Sequence, residues 1–436
     1  MKDRAQVQGR WACYGDRLFD GERVREGMAL IVEGERIAGV VPVADVPEGM
    51  PAITAPGGTV LPGLIDVHVH FGAWQGPLYL AYGVTTVRDV GNYPGWILAR
   101  QAEARDHPWP HISCVGPALD GPEPYWGLCR PCADETSARR AVVETAALGV
   151  NGIKLYVGLA SEWLPGMVTA AREADLPMMM HCFDVPGALD AGVEEFFHLD
   201  GLLDALWPGH PSGWLEVWGH EDFPRDDAHL PRMADRIAAS GIITTPTLFY
   251  WDFAWAMRRA GRPEPAEAPY LPEQNLAWLR AVPGQHFNPA GAEVWYRACR
   301  NARAFLTLLI ERGVPILPGT DEPWGLLLPG QSLWREMILL AHCGMKTTDA
   351  LRAATADAAK RLRLSDRGRL QPGCAADLVL VSGDPTTTLT DHPDIIATVR
   401  DGKLYHPAEL KARSLDYARN IEHEPMGIEF RKRAEG

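Results

Sequence analysis

An alternation of short apolar runs and helix-like segments occupies the middle of this chain, from residue 59 to residue 364. Helical patterns such as Thr136–Leu148 and Leu164–Ala174 separate most of the apolar runs. Such alternation predicts a parallel sheet, and eight strand–helix units in roughly 300 residues predict a (β/α)8 TIM barrel. The eight predicted strands are Val60–His70, Val84–Val90, His111–Gly116, Gly152–Val157, Pro177–Phe183, Val193–His198, Ile242–Leu248 and Val314–Asp321.

The two ends of the chain have a different pattern. Short β-type runs bounded by Gly and Asp occur at Met28–Glu33 and Arg36–Val41, and again at Asp377–Ser382 and Ile396–Arg400. Neither end has enough strands to form a domain alone, so we expect both to join in one small β-sandwich beside the barrel. The expected domains are therefore residues 59–364 for the barrel, and residues 1–58 with 365–436 for the sandwich and its tail.

The composition is that of an ordinary globular enzyme. Of the 436 residues, 46% are hydrophobic, and 42 Lys and Arg against 56 Asp and Glu leave a formal charge of −14. This acidic balance argues against a nucleic-acid partner, which needs a phosphate-neutralising surface. No apolar run reaches the roughly 18 residues of a membrane span, and Met1–Gln8 lacks the apolar core of a signal peptide. We therefore expect a cytoplasmic protein without a membrane partner.

The cysteines do not form a disulfide framework. Eight of them in 436 residues are too few for such a framework. Cys129 and Cys132 have the spacing of half a zinc knuckle, but the sequence has no second pair at a usable distance. We interpret these two residues as free thiols in a loop.

A histidine pair marks the end of the first predicted strand. His68 and His70 end the segment Pro62–His70, and residues at i and i+2 of a strand point to the same face of the sheet. Both imidazoles can therefore reach one metal ion, which holds its ligand nitrogens at about 2.0 Å. The β-type run that precedes the pair strengthens this interpretation.

The histidine motif, the strand–helix alternation and the late segment Gly373–Leu378 together resemble the metal-dependent amidohydrolase superfamily, in its imidazolonepropionase-like and prolidase-like branch. The resemblance covers nearly the whole chain and implies a (β/α)8 barrel with a β-sandwich made from both chain ends. It also implies metal ligands at the carboxyl ends of barrel strands one, four, five, six and eight, which is where barrel enzymes form their active sites. Those positions hold His68, His70, Lys154, His181, His198 and Asp321.

Lys154 cannot be a metal ligand in its ordinary protonated form, because an ammonium group has no lone pair to offer a metal ion. The resemblance implies that CO2 carboxylates this lysine and that the resulting carbamate bridges two divalent metal ions, with zinc the leading candidate. The alternatives are a lysine that forms an ion pair inside the barrel, or one that binds substrate beside a single metal ion. The apolar neighbours Ile153 and Leu155 favour the carbamate, since a buried free ammonium is costly.

Asp321 is expected to act as a ligand and as a proton shuttle. A metal ion lowers the pKa of bound water to about 7, and a nearby carboxylate can take the proton and deliver it to the leaving nitrogen. An isolated Asp before Glu322 and Pro323 would more often cap a turn. The five companion residues that the resemblance supplies favour the catalytic role.

The resemblance therefore implies a hydrolase that cleaves an amide bond of a small peptide-like or N-acyl amino acid substrate. One alternative is a mononuclear hydrolase of cyclic amides or lactones, or a deaminase. Deaminases of this superfamily usually carry Glu shortly after the fifth-strand histidine, whereas Cys182, Phe183 and Asp184 follow His181 here. A second alternative is a catalytically dead barrel that serves as an assembly module, which the six retained positions disfavour. The sequence allows a homo-oligomer and leaves the substrate and the metal open.

Overall fold

The computed structural model describes residues 9–181, 184–202, 214–223, 228–259, 268–273, 276, 291–322, 328–418 and 423–435. Within these residues the chain has a mixed α/β fold. Its strands are β1 (Arg10–Phe19), β2 (Val24–Glu26), β3 (Met28–Glu33), β4 (Arg36–Pro42), β5 (Ala52–Pro62), β6 (Leu64–Val69), β7 (Val84–Asp89), β8 (His111–Cys114), β9 (Leu119–Asp120), β10 (Arg130–Pro131), β11 (Ile153–Leu155), β12 (Met178–His181), β13 (Glu195–Phe197), β14 (Ile243–Thr245), β15 (Leu378–Val381), β16 (Ile395–Arg400) and β17 (Lys403–Tyr405).

The α-helices of the described residues lie between the parallel strands, between β14 and β15, and after β17. They are α1 (Gln75–Ala81), α2 (Pro94–Glu103), α3 (Glu135–Ala146), α4 (Leu164–Glu173), α5 (Val185–Ala191), α6 (Trp214–Trp218), α7 (His229–Ser240), α8 (Phe249–Arg259), α9 (Ala292–Glu311), α10 (Gln331–His342), α11 (Thr347–Arg352), α12 (Ala358–Arg361), α13 (Pro407–Ala418) and α14 (Pro425–Glu435). None of the helices in the described ranges combines the length and the apolar character needed to span a bilayer.

Strands from both ends of the chain form one sheet. Its order is β17-β16-β15-β5-β1-β3-β4, and β2 pairs with the carboxyl-terminal end of β1. The two chain ends meet where β15 runs antiparallel to β5, with Leu380 opposite Val60. The side chains of Trp11, Leu30 and Val399 pack into the core of this sheet. A two-layered sandwich and the two domain boundaries stay predictions.

The parallel strands form two ladders in the described residues. One has the order β6-β7-β8, and the other has the order β10-β9-β11-β12-β13-β14. A single bridge from Thr244 to Ile316 connects β14 to the predicted eighth strand, and a second, from Val69 to Glu322, connects β6 to the residue that follows this strand. The predicted eighth strand does not form a ladder, because Pro315 and Pro318 have no N–H to donate. A closed barrel is therefore not confirmed.

The first predicted barrel strand is divided between two sheets. The sequence predicts a single strand over Val60–His70, which is wrong because β5 ends at Pro62 and β6 begins at Leu64. Gly63 stands between them, and a Cβ at this position would lie 2.0 Å from the hydroxyl oxygen of Thr85. Only glycine fits this close approach, so the chain changes sheets at Gly63.

Candidate metal centre

His68 and His70 lie at the carboxyl end of β6, where Asp66 and the backbone around Thr320 fix their positions. The Asp66 carboxylate accepts hydrogen bonds from the His68 amide at 3.1 Å and from the Thr320 hydroxyl at 2.7 Å. The His70 amide donates to the carbonyl of Glu322 at 2.6 Å. These bonds hold the end of β6 against the segment that carries Asp321, so the two histidines and the aspartate are held close together.

One carboxylate oxygen of Asp321 meets both histidines. Asp321 Oδ1 lies 3.2 Å from His68 Nε2 and 3.3 Å from His70 Nε2. The Nδ1 of His70 lies 3.0 Å from the carbonyl oxygen of Gly91. A carbonyl oxygen can only accept, so Nδ1 carries the hydrogen in this contact and Nε2 is the nitrogen that faces the site. Such a second partner fixes the tautomer of metal-binding histidines.

His198 completes a group of three residues. It follows β13, and its Nδ1 contacts the hydroxyl of Thr247 at 2.5 Å. Its ring centroid lies 4.9 Å from that of His68. Ligand atoms of His68, His198 and Asp321 all lie within 4.8 Å of one another, a separation that one metal ion can bridge.

His181 borders this group from the end of β12. Its ring centroid lies 4.2 Å from that of His198, and its Nε2 lies 3.2 Å from Asp200 Oδ2. The sequence reasoning missed Asp200, although its i, i+2 spacing from His198 repeats the spacing of His68 and His70. A carboxylate at this place can orient His181 or join the ligands of an ion.

Lys154 occupies β11 beneath these residues. Its side chain is buried, and its Nζ lies 3.7 Å from the ring centroid of Phe197. The same ring lies 4.2 Å from the His68 ring, which places Lys154 beside the centre but outside the group of three. None of the ion pairs among the described residues includes Lys154. Burial lowers the pKa of Lys154 to about 7, so the neutral amine is accessible near neutral pH.

The protonation states suit a cation. Burial lowers the pKa of His68 well below its usual value, and burial with the neighbouring His181 lowers the pKa of His198 to about 3. Burial alone would raise the pKa of Asp321, but its electrostatic interaction with His68 and hydrogen bonds from His68 and His70 hold it well below its usual value. Burial alone would lower the pKa of His70, but the hydrogen bond to Asp321 and the charge of Asp321 raise it. The centre therefore presents neutral imidazoles at His68 and His198 and an ionised carboxylate at Asp321.

The donor set fits a divalent metal ion. Neutral imidazole nitrogens and carboxylate oxygens are the ligands that zinc and related ions take in catalytic sites. The Nδ1 atom of His68 is buried and makes no hydrogen bond with the described residues, so a ring nitrogen is left that a ligand bond or a water could satisfy. His68, His198 and Asp321 are therefore the residues that can hold such an ion.

A mixed α/β fold with this donor set at the carboxyl ends of parallel strands defines a metal-dependent hydrolase. The model of the Amidohydrolase family matches residues 59–405, which is most of the chain. The protein therefore belongs to the amidohydrolase family, whose metal-dependent enzymes hydrolyse carbon–nitrogen bonds. This match confirms the resemblance drawn from the sequence motifs.

Individual relatives are distant. An uncharacterized protein of Mycobacterium tuberculosis is 26% identical over 381 residues, which are 80% of this chain and 86% of that relative. The bottromycin amidohydrolase structure has a TM-score of 0.71 at 23% identity and covers 92% of this chain and 89% of its own. A Xaa-Pro dipeptidase with bound methionine has a TM-score of 0.69 at 20% identity, with 91% and 100% covered.

A prolidase in complex with N-methylphosphonate-L-proline has a TM-score of 0.65 at 22% identity and covers 91% of this chain and 99% of its own. At these identities the similarity to solved structures establishes the amidohydrolase fold and no more.

Proposed function

We propose that this protein hydrolyses an amide bond of a small peptide-like or N-acyl amino acid substrate with two divalent metal ions, zinc the first candidate. The six proposed ligands are His68, His70, Lys154, His181, His198 and Asp321. The observation that carries the proposal is the approach of His68, His198 and Asp321 to within 4.8 Å. We also propose that the two parallel ladders close into a (β/α)8 barrel over residues 59–364, flanked by a β-sandwich of residues 1–58 and 365–436.

The metal ions would polarise the substrate carbonyl and lower the pKa of water to about 7 when bound. Asp321 is proposed as the proton shuttle. Its carboxylate is ionised at neutral pH, because His68 and His70 hold its pKa well below the usual value. A carboxylate held this way accepts the proton of the attacking water and returns it to the leaving nitrogen. His68 and His70 keep the accepting oxygen in place.

Lys154 is proposed to carry a carbamate that bridges the two ions. The buried amine lies over the Phe197 ring, and none of the described carboxylates lies within ion-pair distance of it, so a charged ammonium at this place is costly. Carboxylation by CO2 releases a proton and converts the nitrogen into an anionic group with two oxygen ligands. That change removes the buried cation and supplies the ligand atoms that the lysine itself lacks.

The substrate class is proposed from the similar solved structures. One is named a Xaa-Pro dipeptidase, and a second is named a prolidase in complex with N-methylphosphonate-L-proline. A third is named a bottromycin amidohydrolase. The first two names describe action on peptide-like compounds, and the third describes action on an amide. An open-chain amide of modest size is therefore the first class to assay.

A hydrolysis screen combined with metal analysis tests the proposal. Dipeptides, N-acyl amino acids, cyclic amides and lactones are offered to one preparation whose metal content is measured. About two ions per chain, with cleavage of open-chain amides, support the binuclear amidase. About one ion, with cleavage of cyclic substrates alone, favours the mononuclear alternative. A protein that holds no metal and cleaves nothing in the screen contradicts both and favours the assembly module.

The carbamate has its own test. We expect Lys154→Ala to lose most of its activity and part of its metal, because the alanine side chain cannot bridge two ions. Short carboxylic acids added to the variant should restore part of both, since a small carboxylate can occupy the space of the missing carbamate. Unchanged metal content and activity in Lys154→Ala would reject the bridging role.

A further inference from the structure

The C-terminal segment, residues 423–435, contacts two loops at the carboxyl ends of the parallel strands. The carboxylate of Glu424 accepts a hydrogen bond from the Ala73 amide, with both oxygens at 3.2 and 3.1 Å. The carboxylate of Glu429 accepts one from the Gly127 amide at 3.3 Å. Both glutamates are buried, 8% and 4% exposed, which is rare for glutamate.

These two loops flank the candidate metal centre. Ala73 lies three residues after His70. Gly127 lies in the loop of residues 121–129, which we name the rim loop, between β9 and β10. A Cβ at Gly127 would lie 2.5 Å from Glu429 Oε1, so glycine is needed there for the carboxylate to reach the amide. The C-terminal segment therefore packs closely against this loop.

A continuous set of contacts leads from the C-terminal segment to the proposed ligands. Met426 is buried against Leu128 and Trp126 of the rim loop. The indole N–H of Trp126 donates to the hydroxyl of Tyr156 at 2.8 Å, and the Tyr156 ring lies 4.9 Å from the His181 ring.

Tyr125 lies beside Trp126 and Tyr156 and faces solvent. It is 60% exposed, with its ring 5.3 Å from that of Trp126 and 6.3 Å from that of Tyr156. The three rings form one aromatic wall beside His181. Most of the rim loop has no regular secondary structure, so the position of this wall depends on what packs behind it.

We propose that the C-terminal segment holds this aromatic wall in place and so selects substrates with an aromatic side chain. The inference rests on the proposed amide hydrolysis and names its substrate class. A flat ring of the substrate would pack on Tyr125 and Trp126, a contact that adds affinity beyond the area buried. Glu429 and Met426 act as positioning residues, because they touch the wall and not the reacting atoms.

The experiment compares Glu429→Ala with Glu429→Gln. Alanine removes the acceptor of the Gly127 amide, whereas glutamine keeps an acceptor oxygen. With N-acetyl-phenylalanyl and N-acetyl-alanyl amides as paired substrates, we expect alanine to raise KM about fivefold for the phenylalanyl substrate only. The kcat of both substrates should stay unchanged, and glutamine should restore the KM. Glu409→Ala, which removes an exposed carboxylate from the preceding helix α13, is the matched control.

Hydrogen exchange of residues 121–129 supplies a measurement that does not depend on activity. Glu429→Ala should speed exchange in the rim loop, and Glu409→Ala should not. Unchanged exchange in Glu429→Ala overturns the proposal, and so does faster exchange with an equal KM change for both substrates. If the wild-type protein cleaves no amide, the proposed function fails separately. Calorimetric binding of N-acetyl-phenylalanine and N-acetyl-alanine to the same variants then replaces KM, with the same expected preference.

Discussion

At the residue scale, the candidate centre depends on backbone conformations that few side chains adopt. His198 has a φ of 65°, Thr247 of 49° and Asp321 of 59°. Left-handed backbone is uncommon for residues other than glycine, and for a β-branched residue such as threonine it is strained. Strain of this kind persists where the surrounding structure fixes it, most often at functional sites. Here the strained Thr247 brings its hydroxyl to the ring of His198.

The Thr247 hydroxyl is predicted to tune metal affinity. Thr247→Val keeps the branched shape but removes the partner of His198 Nδ1, so the ring loses its fixed orientation. We expect metal affinity to fall by about 10- to 100-fold, the usual effect of losing such an outer partner. Thr247→Ser keeps the hydroxyl and should keep the affinity. Titration of the metal-free protein with zinc measures both, and equal affinity in the two variants would contradict the prediction.

Asp321→Asn tests the proton shuttle. The amide is similar in shape to the carboxylate but cannot accept the proton from the attacking water. We expect kcat to fall by about 10²- to 10⁴-fold, the contribution typical of a positioned acid or base. Metal analysis of the same sample separates a lost shuttle from a lost ligand. A variant that retains its full metal content and its wild-type kcat would rule out both roles for Asp321.

The sequence supplied part of this centre and could not supply the rest. The motifs led to His68 and His70 through their spacing, and the family resemblance led to the other four positions. Asp200 and Thr247 were missed because their roles depend on where the turns after β13 and β14 direct the chain. A positive φ at a non-glycine residue leaves no mark in composition or periodicity, so sequence patterns alone do not reveal it.

At the element scale, a buried ion-pair network joins the two parallel ladders. Arg88 on β7 donates to both carboxylate oxygens of Glu195 on β13, at 2.9 and 2.5 Å. Arg361 donates to the same carboxylate at 2.8 Å. Burial alone would raise the pKa of Glu195, but the charges of Arg88 and Arg361 and their hydrogen bonds lower it to about 2. The network therefore links strands that have no direct backbone pairing.

Glu195→Gln should destabilise the fold at neutral pH and less so in acid. The variant leaves the buried Arg88 guanidinium without its anion and leaves Arg361 with Glu194 alone, which costs about 3–5 kcal/mol. Because the folded-state pKa is depressed, the stabilising effect is complete above the unfolded value of 4.5 and is lost as pH falls toward about 2. Urea unfolding at pH 7 and at pH 3 should therefore show a smaller difference from wild type at pH 3.

Glu194→Gln is the matched control for this network. Glu194 pairs with Arg361, but its side chain is 41% exposed. Exposed ion pairs contribute little to stability, so this variant should unfold close to wild type at either pH. An equal loss of stability in both variants would mean that the burial of Glu195 does not determine its contribution to the free energy of unfolding.

Elements with strong local patterns were predictable, and elements that depend on long-range pairing were not. The structure has β3 at Met28–Glu33, as predicted, and α4 at Leu164–Glu173. The eighth predicted strand lacks a ladder because its prolines cannot donate, which an apolar run does not reveal. The helices α13 and α14 lie in a region whose β-type runs suggested strands and a tail alone.

At the scale of the whole molecule, the sheet of the two chain ends is bonded to the parallel strands and their helices. The hydroxyl of Thr398 on β16 donates to the Leu80 carbonyl in α1 at 2.7 Å. The guanidinium of Arg400 donates to the carbonyls of Ala104 and Trp109 at 2.7 and 2.8 Å. Arg400 is buried, so these bonds lie inside the protein, where no solvent competes for them. The two parts should therefore unfold together.

Arg400→Ala is predicted to weaken this junction. The change leaves the carbonyl oxygens of Ala104 and Trp109 buried without donors, which should cost about 2–4 kcal/mol in the free energy of unfolding. Lys403→Ala, on the exposed side of β17, removes a cation of similar length and should cost little. Calorimetry should give one transition for wild type and control. For Arg400→Ala it should give either one transition at lower temperature or two separated transitions. Two transitions already in the wild-type protein would contradict the coupling, because the sheet and the parallel strands would then unfold independently.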